Sequence, residues 1–325
     1  MKCIARSILA GLAAVLAVAE AATAQEPWPS KPVTVVVPFA AGGNVDVAAR
    51  LFSERLSAKL GKQFVIENKT GAGGSTGIAH MSKQTPDGYT LGVASAGTLF
   101  ILPHIYKHKL GFDPFKDLKA LAMVAYQPNV LAVHPSLPAK TVPEFIALIK
   151  ANPDKYSYGT SGIGSSQHLC MELIVQQTGA KLAHVPYRAS NQIMQDLISG
   201  QIQMTCDQYS TVGEQVKAGN ARMLAVSSGT RYSVIPDVPA LAEFLPGVDV
   251  TWAAAFIAPA GVPKAITDKL TTELTEIAKE ASMIKRLQEL GVTPLNLAGE
   301  ALEKQLKADY AKWQPIVERA KIPVP

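Results

Sequence analysis

The sequence predicts an α/β fold in two similar halves, each a mostly parallel sheet flanked by helices. Three observations carry this. Short apolar runs alternate with i, i+4 helical ladders, the alternation restarts near Tyr156, and 325 residues suffice for about two cores. In order, Val33 to Val37 reads as a buried strand that Pro38 ends and Gly42-Gly43 opens into a loop. Ala48, Phe52, Leu56 and Leu60 form a ladder that Gly61 stops. A strand over 64–66 leads through Glu67-Asn68-Lys69 into Gly71-Ala72-Gly73-Gly74, a short helix and a strand over 90–94. This βαβαβ order argues for parallel strands with helices on both faces.

The second half repeats the scheme. Tyr156-Ser157-Tyr158 runs into Gly159-Thr160-Ser161-Gly162-Ile163-Gly164-Ser165, then a helix with Leu169 and Leu173. Next come a strand over 182–185, a helix over 193–198, and strands over 202–206 and 224–226. Two apolar runs, 129–133 and 251–257, fit neither half. The C-terminal part is helical, with Ile266, Leu270, Leu274 and Ile277 on one face, and Leu302, Leu306 and Tyr310 on a second helix. The economical topology crosses to the second domain, returns, and finishes on the first. Two crossings make a hinge with a cleft between lobes. The expected divisions are 1–24 as a signal peptide, 25–126 with 249–325 as domain 1, and 127–248 as domain 2.

The N-terminus supplies the export reading. Lys2 and Arg6 precede an apolar run over 8–19, and Ala22-Thr23-Ala24 offers a small-x-small cleavage pattern. The run is shorter than the roughly 20 residues of a membrane-spanning helix. A mature, soluble periplasmic chain is expected from Gln25, a retained anchor being the alternative. Lys and Arg total 31 against 26 Asp and Glu, a +5 excess without a concentrated basic run, which argues against nucleic acid as partner. Cys170 and Cys206 read as two small buried thiols in preference to a disulfide, although export permits pairing. Cys206 is expected to share a strand face with Ile202 and Met204.

The two Gly-rich loops, Phe39-Ala40-Ala41-Gly42-Gly43-Asn44 and 159–165, carry the chemistry. Each hands a strand to a helix N-terminus, whose first N–H groups lack helical partners and whose dipole favours an anion. One per domain, at the carboxyl ends of strands, they suit an anion held in an interdomain cleft. Gly71-Ala72-Gly73-Gly74-Ser75-Thr76-Gly77 invites a dinucleotide reading, but Thr76 stands where the third glycine belongs and no acidic residue ends the next strand. No cofactor and no metal are expected. Ser161 and Ser165 centre no nucleophile motif. His168 is placed at the cleft or as a cap, and His104 and His108 in a solvated loop. Asp46 can pair with Arg50 at i, i+4. Asp207 either meets a ligand's amino or hydroxyl group or caps the next helix.

The ordered strings Val37-Pro38-Phe39-Ala40-Ala41-Gly42-Gly43-Asn44-Val45-Asp46, Glu67-Asn68-Lys69-Thr70-Gly71-Ala72-Gly73-Gly74 and Pro86-Asp87-Gly88-Tyr89-Thr90-Leu91 are specific. So are 159–165 with His168-Leu169, His184-Val185-Pro186-Tyr187-Arg188, Pro236-Asp237-Val238-Pro239, Trp252 and Ala258-Pro259-Ala260-Gly261-Val262-Pro263. Together they resemble the extracytoplasmic solute receptors of tripartite tricarboxylate transporters, the Bug family, over essentially the whole mature chain. The resemblance implies a two-lobed, Venus-flytrap periplasmic receptor that binds a small carboxylate and delivers it to a membrane complex of a large and a small subunit. It implies that the loops matching Phe39 to Asn44 and Thr160 to Ser165 clamp a carboxylate, partly through ordered waters. The variable end of the pocket is then expected near 95–100 and 187–207. Ala189 departs from the family, which usually has glycine there.

The expected ligand-binding set is Phe39, Ala41, Gly42, Gly43, Asp46, Ser95, Thr98, Thr160, Ser161, Gly164, Ser165, His168, Tyr187 and Asp207, with no catalytic residue. A monomer is expected, with a sensor kinase as a further partner. A secreted hydrolase of a carboxylate-containing substrate and a receptor serving signalling only are the alternatives.

Overall fold

The structure, a computed structural model, describes residues 27–187 and 190–320. The expected signal peptide and the Arg188-Ala189 departure lie outside the described residues. The first lobe opens with β1 (Val33–Val37), α1 (Asn44–Leu60), β2 (Phe64–Asn68), α2 (Ser75–Ser82) and β3 (Thr90–Ser95). Gly61 closes α1 at φ 71°, a left-handed cap that glycine adopts without strain. β1 pairs in parallel with β2 and with β3, as the alternation predicts.

The long strand β4 (Leu118–Val133) joins the halves. Its residues up to Pro128 pair antiparallel with β9 (Thr251–Pro259), and those from Ala122 to Tyr126 also with β10 (Thr293–Ala298). From Asn129 onward its partners are β7 (Met204–Gln208) and β8 (Arg222–Val226). β5 (Ser157–Thr160) lies parallel to β7 and to β6 (Ala183–Pro186). In the first lobe β9 and β10 run opposite to β1–β4, and in the second β4 runs opposite to β5–β8. The apolar runs that fitted neither half are therefore strands of the sheets, and β4 belongs to both. The return is equally direct, with Val250 N–H donating to Ser227 C=O and Ser227 N–H to Asn129 C=O.

Helices α3 (Leu102–Tyr106), α4 (Val142–Ala151), α5 (Ser166–Thr178), α6 (Ser190–Ile198), α7 (Tyr209–Lys217), α8 (Lys264–Lys279), α9 (Ala281–Glu289) and α10 (Gly299–Ala320) cover the sheets. Leu270, Leu274 and Ile277 of α8 pack with Val33, Phe52 and Phe256 in a first-lobe core. Val130, Ile193, Leu197 and Val212 form a second-lobe core. A third core spans both lobes, joining Val36 and Leu102 to Leu169, Met204, Leu302 and Trp313.

Three expectations are corrected. Cys170 and Cys206 form a disulfide between α5 and β7, with Cα atoms 6.1 Å apart. Antiparallel pairing with Leu131 turns Cys206 toward α5, which the linear pattern could not show. Ile202 precedes β7 and packs with Ile193 in the second-lobe core, away from the core shared by Met204 and Cys206. His104 is no loop residue: it lies in α3, its Nε2 is 2.7 Å from Tyr310 C=O, and burial lowers its pKa.

Candidate functional site: an interlobe cleft

The loop after β1 exposes the backbone of Ala40, Ala41, Gly42 and Gly43 while its root is fixed. Gly43 is the N-cap of α1 with no capping side chain, and Gly42 has φ 81°. The buried Asp46 carboxylate fastens this loop. Its oxygens accept from Gly42 N–H (2.8 Å), from Arg50 Nε and Nη2, and from Asn68 Nδ2. Burial alone would raise its pKa, but the Arg50, Gly42 and Asn68 hydrogen bonds outweigh it and hold the group below the usual carboxylate value. Asp46 thus serves the loop from beneath, paired with Arg50 as the spacing predicts.

The 95–98 segment adjoins it. Ser95 Oγ and Thr98 Oγ1 are 2.9 Å apart, and Thr98 Oγ1 donates to Gly73 C=O. A Cβ on Gly74 would lie 2.8 Å from Thr98 Oγ1 and 3.0 Å from Phe39 Cζ. The glycines at 73 and 74 thus serve close packing of loops at the N-terminus of α2.

In the second lobe, Ser165 is the N-cap of α5. Its Oγ accepts from His168 N–H and donates to Gly162 C=O, tightening the loop. Gly164 N–H donates to His168 Nδ1, and Gly162 N–H to Thr160 Oγ1. Thr160 Oγ1 is also 2.7 Å from His184 Nε2, and the two imidazoles sit 4.5 Å apart. Burial, with His184 adding to it, lowers the His168 pKa to about 3. Glu172 Oε1 lies 3.7 Å from His168 Nε2 but already accepts from Tyr158 Oη at 2.6 Å, and it does not offset that burial. Neutral His168 therefore acts as a hydrogen-bond acceptor for the loop.

Tyr187 packs over Gly159 and gives its hydroxyl to Asp196 Oδ2 at 2.6 Å. Burial and then Asp196 push that phenol up to about 12. Asp207 is fully buried at the carboxyl end of β7. Its Oδ1 accepts from Gln208 N–H, Gln167 Nε2 and Ser190 Oγ, and Gln167 Oε1 accepts from Ser161 Oγ. Gln167 and Ser190 were not anticipated. The polar run Ser165-Ser166-Gln167-His168, ahead of the apolar Leu169-Cys170-Met171, was the available signal for Gln167. The other missed residues are Gln127 and Asn129, two amides within the apolar run of β4.

The lobes meet around these loops. Ser210 Oγ, at the start of α7, donates to Asn44 Oδ1 of α1 at 3.1 Å and lies 3.3 Å from Gln127 Oε1. A Cβ on Gly97 would sit 3.2 Å from Gly164 C=O, and one on Gly73 would sit 3.6 Å from Ile163 C=O. Both Gly-rich loops thus lie at one interlobe seam, each beginning a helix. Among the described residues no group of three His, Cys, Asp or Glu is arranged to hold a metal ion.

Two lobes joined by a shared strand, with helix N-termini and polar side chains at the seam, have the architecture of a solute-binding receptor. Residues 48–322 match the Tripartite tricarboxylate transporter family receptor, and the chain belongs to that family. An Agrobacterium vitis relative, the UPF0065 protein in the TAR-I ttuE-ttuC' intergenic region, is 34% identical, spanning 92% of this chain and 87% of its own. Rpa4515 of R. palustris, solved with adipate, superposes with TM-score 0.85 at 32% identity, covering 91% of this chain and 99% of that one. Periplasmic binding protein BugD gives 0.82 at 32%, over 91% and 99%. MatC (Rpa3494) from Rhodopseudomonas palustris, with bound malate, gives 0.81 at 29%, over 89% and 100%.

Proposed function

We propose that this receptor captures a small carboxylate in the interlobe cleft, in the periplasm, and delivers it to a membrane transporter of one large and one small subunit. The observation that carries the reading is the pair of cation-free loops at one seam, Phe39 to Asn44 and Thr160 to Ser165, each at a helix N-terminus. Relatives solved with adipate and malate support a carboxylate as the ligand class. We assign the division as 25–126 with 249–325 against 127–248. The change of β4 partners at Pro128/Asn129 and the return at Ser227/Val250 support it. Among the described residues no helix is long and apolar enough to cross a membrane. In this reading the backbone of Ala41 to Gly43 and of Ser161 to Ser165 faces the ligand carboxylate, Ser95 and Thr98 line its flank, and Asp46 and His168 fix the two loops.

Gly43→Asp tests it. At φ −74° a side chain is tolerated, and the added Cβ meets only Ala40 C=O at 3.3 Å. Aspartate is a favoured N-cap, so helix stability should hold or rise while its charge occupies the anion site. Calorimetry against mono-, di- and tricarboxylates should show binding by the wild type and at least a tenfold loss in the variant, without a lower melting temperature. A variant that binds like wild type would place the anion elsewhere.

A further inference from the structure

Buried beside the interlobe seam are polar groups whose hydrogen bonds are incomplete. Asp207 and Asn129 have no accessible surface. Asp207 Oδ1 accepts three hydrogen bonds, whereas its Oδ2 has no partner among the described residues. Asn129 Oδ1 lies 3.4 Å from Ser166 Oγ, and Asn129 Nδ2 is likewise unpartnered, as is Gln127 Nε2. Asn129 pairs with Gln208, and Asp207 with Val130, so the two side chains leave opposite faces of the sheet. Ser166 and Gln167, consecutive in the first turn of α5, hold Asn129 and Asp207 respectively.

A buried carboxylate oxygen with no donor is costly, and native structures complete such groups with water or ligand. The surroundings of Asp207 are built to aim it. Three donors on one oxygen fix the plane of the carboxyl group and leave the other oxygen as the open acceptor. Ser210, three residues on, already touches the opposite lobe through Asn44, so this strand end lies at the seam.

We infer that Asp207 Oδ2 is a specificity subsite that accepts a hydrogen bond from a hydroxyl or ammonium substituent on the bound carboxylate. The inference rests on the carboxylate-receptor reading above. Burial raises the Asp207 carboxyl pKa, so a ligand donor at Oδ2 also stabilises the ionised group.

The test is calorimetry on the purified receptor with matched acids: succinate, malate and aspartate, then glutarate, 2-hydroxyglutarate and glutamate. At the chain length that binds, a substituted acid should bind about 10- to 100-fold more tightly than its unsubstituted parent. Malate and 2-hydroxyglutarate report a hydroxyl donor, aspartate and glutamate an ammonium, and preference for either supports the subsite. Asp207→Asn keeps an acceptor for the three donors and places an N–H₂ where Oδ2 stands. It should abolish the preference and favour the 2-keto acid of the same length. An unsubstituted parent that binds as tightly as its derivatives overturns the inference while leaving the receptor reading intact, and it does so on the wild type alone if the variant fails to fold. An Asp207→Asn protein that keeps the preference overturns it too. If none of these acids nor the wider carboxylate panel binds, the receptor reading fails, and the inference with it.

Discussion

Replacing both Cys170 and Cys206 by alanine should remove a substantial part of the stability of the second lobe. The bridge closes a loop across a sequence separation of 36 residues. Chain-entropy reasoning assigns a cross-link of that span about 4 kcal/mol, through the freedom it removes from the unfolded chain. In a protein of this size a kcal/mol moves the melting temperature by about 2 °C, so the variant should melt roughly 8 °C lower. Both cysteines are inaccessible, so reductant should act on the wild type only as it unfolds and then reproduce the variant's lower melting point. Mass spectrometry of unreduced digests should find the two peptides linked. The bridge also joins α5 to β7, and Gln167 of α5 holds Asp207, the neighbour of Cys206. Ligand affinity should therefore fall with stability in the variant. Free thiols at both positions in protein exported to an oxidising compartment, or a variant melting within about a degree of wild type, would refute this reasoning.

Acidification offers a second test. His168 is neutral in the folded chain with a pKa of about 3, against about 6.5 when unfolded. Its contribution is complete above pH 6.5 and is lost as pH falls toward 3, because the unfolded chain then binds the extra proton. By pH 5 the loss is about 2 kcal/mol. Denaturant titrations at pH 7.5 and 5.0 should show it, and His168→Asn, with an acceptor for Gly164 N–H, should flatten the dependence. An equal pH slope in both proteins would show that His168 does not titrate in this way. Gly164→Ala probes closure: at φ 80° alanine costs about 1 kcal/mol, and its Cβ would clash with Leu102 Cδ2 of the other lobe. Scattering should report a larger radius of gyration and calorimetry weaker ligand binding; a variant as compact and as tight as wild type would show that this contact is not needed for closure.

Local signals sufficed where the physics is local. The Val33–Val37 run, the ladder that Gly61 stops and the Gly-rich turns before α1 and α5 depend on side-chain period and backbone freedom, which are written along the chain. Asp46 was legible for the same reason, because its partners Gly42 and Arg50 lie within one helical turn. The His104 position was not, since what buries it is Tyr310, 206 residues away.

By itself, then, the sequence determined the alternation of elements, the two anion-suited helix starts and the family pattern they belong to. Only the tertiary structure decided that 118–133 is one strand shared by both lobes, and that register brings Cys206 to Cys170. It alone decided that Gln127 Nε2, Asn129 Nδ2 and Asp207 Oδ2 are left without a partner among the described residues. The reason is that strand register and lobe closure are set by contacts between residues far apart in the chain, whose energies have no local signature. A polar residue in an apolar run reads the same whether its partner is a neighbouring strand, a water or a ligand.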